Sequence, residues 1–489
     1  MAFVLAVAIA FAIGGSQNPR ILYVILLFAL CSTSIIDLDG LNGRYALLGI
    51  FLFSYFVMYG AGDCSALLQG TTTDKSTAAL STTEAIVLVG GAIVILIYRL
   101  VVLINSAIAK AQVARDWPAR AIFLAGFLMW AIGTYATYVW YVHIITDTTN
   151  EALRKGLQSI STYAASAYIL AQMLQPLGIL LIAYAWRGYR LGFLVVPLLG
   201  VVVVQVILGF IIDIKGTAML GGILVIVTIV LMDGRLPKLW LAGAVAYVIL
   251  VFPIFQAYRA EIHGTRGVAR TTVVENLGKT LNLALSAENR VNSGRDRAQT
   301  FLERSSLLGS VQLIVEKTGN AVPFQHGHTL TPILATFLPK IVWSDKPDVP
   351  TGQVMNKEFH VTDSEDVYIS PSHLGELYWN FGWLGVLVGM TAIGGILGFV
   401  GSRFNLADAK TVTRLLITVV TIKQVVMSFE GVIAASYVVW LRSLAGIGLL
   451  HVIFARIPVR LRGRGTEHEE SRMPAIGPIG VKSFSNLMS

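Results

Sequence analysis

The sequence predicts an all-α polytopic membrane protein of about twelve transmembrane helices. One large outer loop, containing short helices, separates the ninth span from the tenth. Three observations predict this class. Of 489 residues, 55% are hydrophobic and only 13% charged, where soluble domains carry about 25% charged residues; the mean hydropathy is +0.70. The apolar residues form continuous runs of roughly 16–26 residues, near the length that crosses a ~30 Å hydrocarbon core as a helix; a lipid-facing barrel would alternate instead. The pattern is interrupted once at length, between residues 257 and 373, where charge, histidine and proline return together.

Taken in order, the apolar runs are 1–14, 21–36, 45–60, 84–106, 119–145, 161–185, 191–212, 217–232 and 237–256 before the loop, then 374–401, 411–429 and 432–455 after it. Backbone groups in lipid must pair internally, so each run reads as a helix. The first run lacks a basic leader and reads as a span rather than a signal peptide. Residues 61–83 are a Thr- and Ser-rich outer loop, and residues 456–489 a basic, then polar and disordered tail. Cys31 falls within a span and Cys64 in a loop, so no disulfide is expected.

Lys and Arg in the short connections set the orientation. Eleven fall on one side: Arg44, Lys110, Arg115, Arg120, Arg187, Arg190, Arg235, Lys238, Arg403, Lys410 and Arg414. Five fall on the other: Arg20, Lys75, Arg154, Lys155 and Lys215. The richer side is the cytoplasm, which puts both termini inside and residues 257–373 outside. The net charge of +9 therefore belongs to topology. The loop itself balances twelve Lys and Arg against twelve Asp and Glu, which argues against nucleic acid as a partner.

Residues 257–382 hold five of the eight histidines, and the loop divides into parts. Residues 271–289 and 297–317 show apolar residues at helical spacing, including Phe301, Leu308, Val311 and Val315. Residues 328–342, HTLTPILATFLPKIV, are apolar but too short and too Pro-broken to span, and read as lying on or dipping into the membrane. Residues 343–372 read as irregular.

The most informative run is SPSHLGELYWNFG, residues 370–382. Ser370 reads as a helix N-cap with Pro371 at the first position. Helical spacing then places His373, Glu376 and Asn380 on one face. Ionisable groups entering a membrane helix are costly, so the stripe reads either as a general base with substrate-positioning groups at the mouth of a cavity, or as a capped, wet helix end. Arg259 at the lip of a span and Arg304 among apolar neighbours match the bidentate geometry of phosphate oxygens; ordinary surface ion pairs are the alternative. Arg295 and Arg297 are weaker candidates of the same kind. Lys215, in the short outer turn IIDIKGT, is placed to reach a lipid phosphate or to snorkel. His326 and His328, at i and i+2 in QHGHT, do not face one way on a helix, so they read as hydrogen-bonding or acid/base groups rather than zinc ligands. Lys423 and Arg442 fall inside spans, with Glu430 as the expected partner. No P-loop, GxSxG or HExxH is present, which removes support for ATPase, α/β-hydrolase and zincin readings.

The run HGHTLTPILATFLPKIVWSDKP, followed by SPSHLGELYWNFGWLGV, resembles the bacterial O-antigen and exopolysaccharide repeat-unit polymerases of the Wzy type, as does the topology with one late outer loop. The match covers roughly residues 325–385. Many members carry a Ser-Arg pair in the short outer turn before the loop, where this chain reads Lys215-Gly216-Thr217. The resemblance implies an inner-membrane glycosyltransferase that polymerises undecaprenyl-diphosphate-linked oligosaccharide, using one such molecule as donor and another as acceptor. It implies no cofactor, no metal and no nucleotide sugar, and a chain-length regulator and a flippase as pathway partners. The site residues would be Glu376, His373 and His326 for proton transfer, with Arg259, Arg304, Lys215, His328 and Asn380 for diphosphate and sugar. O-antigen ligases share the architecture. A transporter or flippase of lipid-linked sugars is the rival class; it would place ionisable groups in discontinuous helices near mid-membrane.

Overall fold

The protein is described from a computed structural model, covering residues 19–35, 43–60, 62–63, 77–108, 117–139, 171–189, 192–211, 215–233, 243, 306–338, 343, 352–361, 369–405 and 411–456. The described residues are nearly all helical, with no strand among them. The helices before the loop are α1 (Pro19–Ile35), α2 (Ala46–Tyr59), α3 (Thr77–Ile108), α4 (Ala119–Val139), α5 (Leu174–Gly188), α6 (Val195–Ile211) and α7 (Lys215–Asp233). The loop contributes α8 (Leu308–Lys317), the single turn α9 (Thr331–Leu334) and α10 (Gly352–Phe359). Then follow α11 (Ser372–Arg403), α12 (Val412–Thr421) and α13 (Ile433–Arg456).

Six of these stretches are long and apolar enough to cross a membrane: Thr82–Asn105, Ala121–Val139, Gly192–Phe210, Ser372–Arg403, Val412–Glu430 and Ile433–Phe454. Leu22–Ser32, Ala46–Tyr59 and Thr217–Asp233 are apolar but shorter. The expected spans 1–14 and 237–256 lie outside the described residues, residue 243 apart. Large apolar side chains such as Leu96, Leu103, Val196, Leu384 and Leu449 are exposed on the outward faces of the long helices. A water-soluble domain does not leave so many such residues uncovered along its helices; a lipid-facing surface does.

The bundle is tied together by small residues and a few polar contacts, as expected where lipid removes most of the hydrophobic drive between helices. Along α3 and α11, a Cβ added at Gly394 or Gly398 would come within 3.0 Å of the carbonyls of Val94 and Tyr98, so those glycines allow the two helices to touch. Asn105 donates to Ser402 at 2.8 Å further along the same seam. The Tyr98 hydroxyl donates to the Arg44 carbonyl, and Arg414 donates to the Asn405 carbonyl at 2.9 Å. Arg44, Arg403 and Arg414 thus gather at one end of the bundle. Arg187 and Asp233 form a two-pronged pair, at 2.8 and 2.6 Å, that holds the C-terminal ends of α5 and α7 together.

Three expectations about local structure change. The helix starts one residue later than expected, at Ser372: Ser370 Oγ accepts from the Ser372 N–H at 3.4 Å, and Ser372 Oγ accepts from the Gly375 N–H at 3.3 Å. The cause is Ser372 itself, whose φ of 58° turns the chain into the helix. Residues 343–372 contain α10, whose Met355 and Phe359 are buried; eight residues after Pro350 show too little periodicity to be read in advance. Lys423 and Arg442 form no ion pair with Glu430, which is exposed; Arg442 instead reaches the Thr336 carbonyl at 3.5 Å, the outer limit of a hydrogen bond.

Candidate functional site

The site is built where α11 breaks. Phe381 (φ −142°, ψ 19°) and Gly382 (φ 60°, ψ −142°) are non-helical, dividing α11 into a polar first segment and a long apolar second one. The backbone region of Gly382 is open to glycine almost alone. A helix break leaves carbonyls of the preceding turn without their intrahelical partners. Here the QHGH turn supplies them: Gln325 N–H donates to the Trp379 carbonyl at 3.0 Å, and His326 N–H to the Asn380 carbonyl at 3.1 Å. The Trp379 indole N–H donates back to the Pro323 carbonyl at 3.2 Å.

Asn380 completes the clamp. Its Oδ1 accepts from the Gly327 N–H at 2.8 Å, and its Nδ2 donates to Thr329 Oγ1 and to the Glu376 carbonyl, both at 2.8 Å. Gly327 sits at φ 89° and His326 at φ 48°. Of three non-glycine residues with positive φ among the described residues, two, His326 and Ser372, border this site. Such conformations cost about 1–3 kcal/mol each and persist where the surroundings over-determine them. α8 and α10 cover the segment: Ile314 lies so close that a Cβ on Gly375 would meet it at 2.6 Å, and the Phe359 and Trp379 rings are 5.0 Å apart.

His373, Glu376 and Asn380 do share one face, and all three are buried at 1% exposure or less. The wet-helix-end alternative does not describe them. Glu376 Oε2 accepts from the Ile433 N–H at 2.6 Å, so the carboxyl caps the N-terminus of α13 from another helix, where free N–H groups and the helix dipole favour an anion. Its second oxygen, Oε1, has no hydrogen-bond partner, nor has either ring nitrogen of His373. The His373 ring lies among aromatics, 4.6 Å from Phe429 and 5.7 Å from Tyr437, and the buried Tyr437 hydroxyl is also unpartnered. Glu376 Oε1, both His373 nitrogens and the Tyr437 hydroxyl are thus unpartnered, and so is the hydroxyl of Tyr59, whose ring packs on Phe429 at 6.3 Å. Buried polar groups are nearly always hydrogen-bonded in folded proteins, so these unmet atoms set the region apart.

The structure brings His326 to Asn380 by its backbone; the imidazoles of His326 and His328 are exposed, while Glu376 is inside. Lys215 is the first residue of α7. Arg259, Arg295, Arg297 and Arg304 lie outside the described residues. Among the described residues no three His, Cys, Asp or Glu side chains gather as metal ligands. Sequence reasoning missed Thr329, Phe429 and Tyr437, which reach the site from other helices and turns; no spacing rule links them to Glu376. The apolar segment after His328 presents Leu334, Phe337 and Leu338 outward, as a segment lying against a membrane would.

Compared with known proteins, the chain matches no family model, no curated protein and no solved structure.

Proposed function

We propose that the chain is a glycosyltransferase of the bacterial inner membrane that polymerises lipid-diphosphate-linked oligosaccharides on the outer face, with both termini in the cytoplasm. In the reaction, the bond between the anomeric carbon and a diphosphate oxygen breaks, and the diphosphate leaves with the electron pair. The acceptor hydroxyl forms the new glycosidic bond and gives its proton to Glu376. Cations stabilise the departing charge; Arg259, Arg304 and Lys215 are the residues proposed for that part. Undecaprenyl diphosphate is the proposed carrier of both donor and acceptor.

The observation that carries this reading is Glu376: a buried carboxyl with one oxygen held by Ile433 and the other free, beside an imidazole with no partner. A base must be held in place and still have a lone pair to use. The test is polymer length on gels after purified protein is reconstituted with lipid-linked oligosaccharide. Glu376→Gln keeps the cap on α13 but not the basicity. It is expected to cost about 10²- to 10⁴-fold in rate at an unchanged melting temperature. A near wild-type rate would remove Glu376 from the chemistry and leave it as a cap.

A second reading has its own support. The break in α11, with polar groups buried beside it, is the discontinuous helix a transporter of lipid-linked sugars uses. Vesicles in which the wild-type protein moves the lipid-linked sugar across the bilayer without lengthening it would establish that reading over the first.

A further inference from the structure

A cavity of about 240 Å³ lies on the far side of α13 from Glu376. Ile433 and Tyr437 of that helix face the Glu376 site, whereas Val439 and Ser443 line the cavity. Its other walls are α4, α5, α7 and α12, including Gln172 just before α5, Thr217 in the first turn of α7, and the consecutive pair Lys423 and Gln424. That pair belongs to a π-helical turn, Ile422–Val426, which continues α12 and widens it by one residue. Such turns cluster at functional sites, because the extra residue re-aims the side chains around it. The widened turn is secured by Ser428, whose hydroxyl donates to the Lys423 carbonyl at 2.8 Å.

The chemistry of the lining is one-sided. Among the described residues, Lys423 is its only charged residue, and neither Asp nor Glu lines it. Glu430, the acid nearest in sequence, is exposed and unpaired with it. The Gln172 Nε2 is buried without a hydrogen-bond partner. Hydroxyls of Thr217 and Ser443 and the amide of Gln424 complete a set rich in donors. A cation inside an apolar bundle is costly and is found facing partners or ligands. Val412–Glu430 is the most enclosed of the six long stretches, 67% buried, so this lysine has not been placed at a lipid-facing edge. The volume falls below the ~300–1,000 Å³ of pockets that enclose whole drug-sized ligands; it suits a headgroup rather than a saccharide.

We propose that this cavity binds the phosphate or diphosphate headgroup of a lipid, with Lys423 as the charge partner and Gln172, Thr217 and Ser443 as hydrogen-bond donors. The site stands on the cavity's own chemistry and holds whichever reaction Glu376 performs. Because α13 separates the two, a headgroup bound here would lie one helix away from the carboxyl.

The test measures binding to the purified full chain in a neutral maltoside detergent, with dodecyl phosphate, dodecanol and inorganic pyrophosphate as probes. Dodecyl phosphate is expected to bind saturably and dodecanol not to bind. Lys423→Met should weaken dodecyl phosphate by about tenfold or more, Lys423→Arg by far less, and Lys357→Met, on the exposed side of α10, not at all. Should Lys423→Met fail to fold, the double variant Gln172→Ala with Thr217→Val is expected to weaken binding several-fold. Competition by pyrophosphate would show that the anion alone suffices; its absence, with dodecyl phosphate still bound through Lys423, would show that the chain is needed too. Equal binding by wild type and Lys423→Met, or no saturable binding of either phosphate probe by wild type, overturns the proposal. The readout is affinity, so an inactive Glu376 variant that still binds dodecyl phosphate separates this site from the reaction proposed above.

Discussion

Asn380 and Glu376 lie one helical turn apart on the same face, equally buried, and are held in opposite ways. Every donor and acceptor of the Asn380 amide that the site can use is engaged, with the Gly327 N–H, Thr329 and the Glu376 carbonyl. Glu376 engages one oxygen of two, and His373, a turn earlier, engages neither nitrogen. Burial is therefore the same and satisfaction is not. An unmet buried polar atom costs about 1–3 kcal/mol, and a fold that leaves several together, next to a fully paired amide, has not done so for want of nearby donors. The paired residue holds the loop onto the helix break. The unpaired ones are left to chemistry that the fold itself does not use.

The comparison is broken most severely at its structural half. Asn380→Leu keeps the volume and removes three hydrogen bonds, taking the side-chain partner from the half-buried Gly327 N–H and from the buried Thr329 hydroxyl. The expected loss is about 3 kcal/mol or more of stability, read from thermal or denaturant unfolding in detergent. A loss below about 1 kcal/mol would show that the turn is held by other contacts. Gly382→Ala comes next. The nearest atom to a Cβ there is Phe324 Cε1 at 3.5 Å, an ordinary contact, so the cost is conformational alone, roughly 1–3 kcal/mol. If that substitution is neutral, the break in α11 does not need its glycine.

The division between these two halves was partly legible in the sequence. The spacing of His373, Glu376 and Asn380 is a local property, and a 3.6-residue period reports it directly. The apolar runs are equally local, and ten of those expected overlap described helices, the run 161–185 only from residue 174 on. What spacing could not report is which member of the stripe is satisfied. That depends on Gly327, Thr329 and Ile433, more than fifty residues away in either direction, brought in by a turn and a helix start. For the same reason the expected ion pair of Lys423 with Glu430 failed: sequence proximity suggested it, whereas the π-helical turn aims Lys423 elsewhere. Spacing likewise could not report that the His326 backbone N–H closes onto the Asn380 carbonyl.

A control for ordinary polar pairing sits at the opposite end of the bundle. Arg187 and Asp233 pair well in geometry, but their side chains are 44% and 25% exposed. Arg187→Ala is expected to cost at most about 1 kcal/mol, and less at high salt, as exposed pairs do. A loss as large as that of Asn380→Leu would mean that the ends of α5 and α7 carry more of the stability than their exposure allows.

A substitution expected to be near neutral for stability is the most informative. His373→Leu replaces the imidazole with an apolar side chain of similar volume, among Phe429 and Tyr437, where neither ring nitrogen has a partner. Removing two unmet polar atoms while keeping the packing should leave stability within about 1.5 kcal/mol of wild type, the tolerance of volume-conserving core exchanges, or raise it. If the imidazole works beside Glu376, polymer elongation should nevertheless fall, since the variant loses a group that the fold itself does not use. The two measurements divide the outcomes. Lost activity at unchanged stability assigns His373 to the ligand; unchanged activity makes it a packing residue; and a stability loss of several kcal/mol would show that the ring nitrogens have a partner in the folded protein, which would place His373 with Asn380 on the structural side of the comparison.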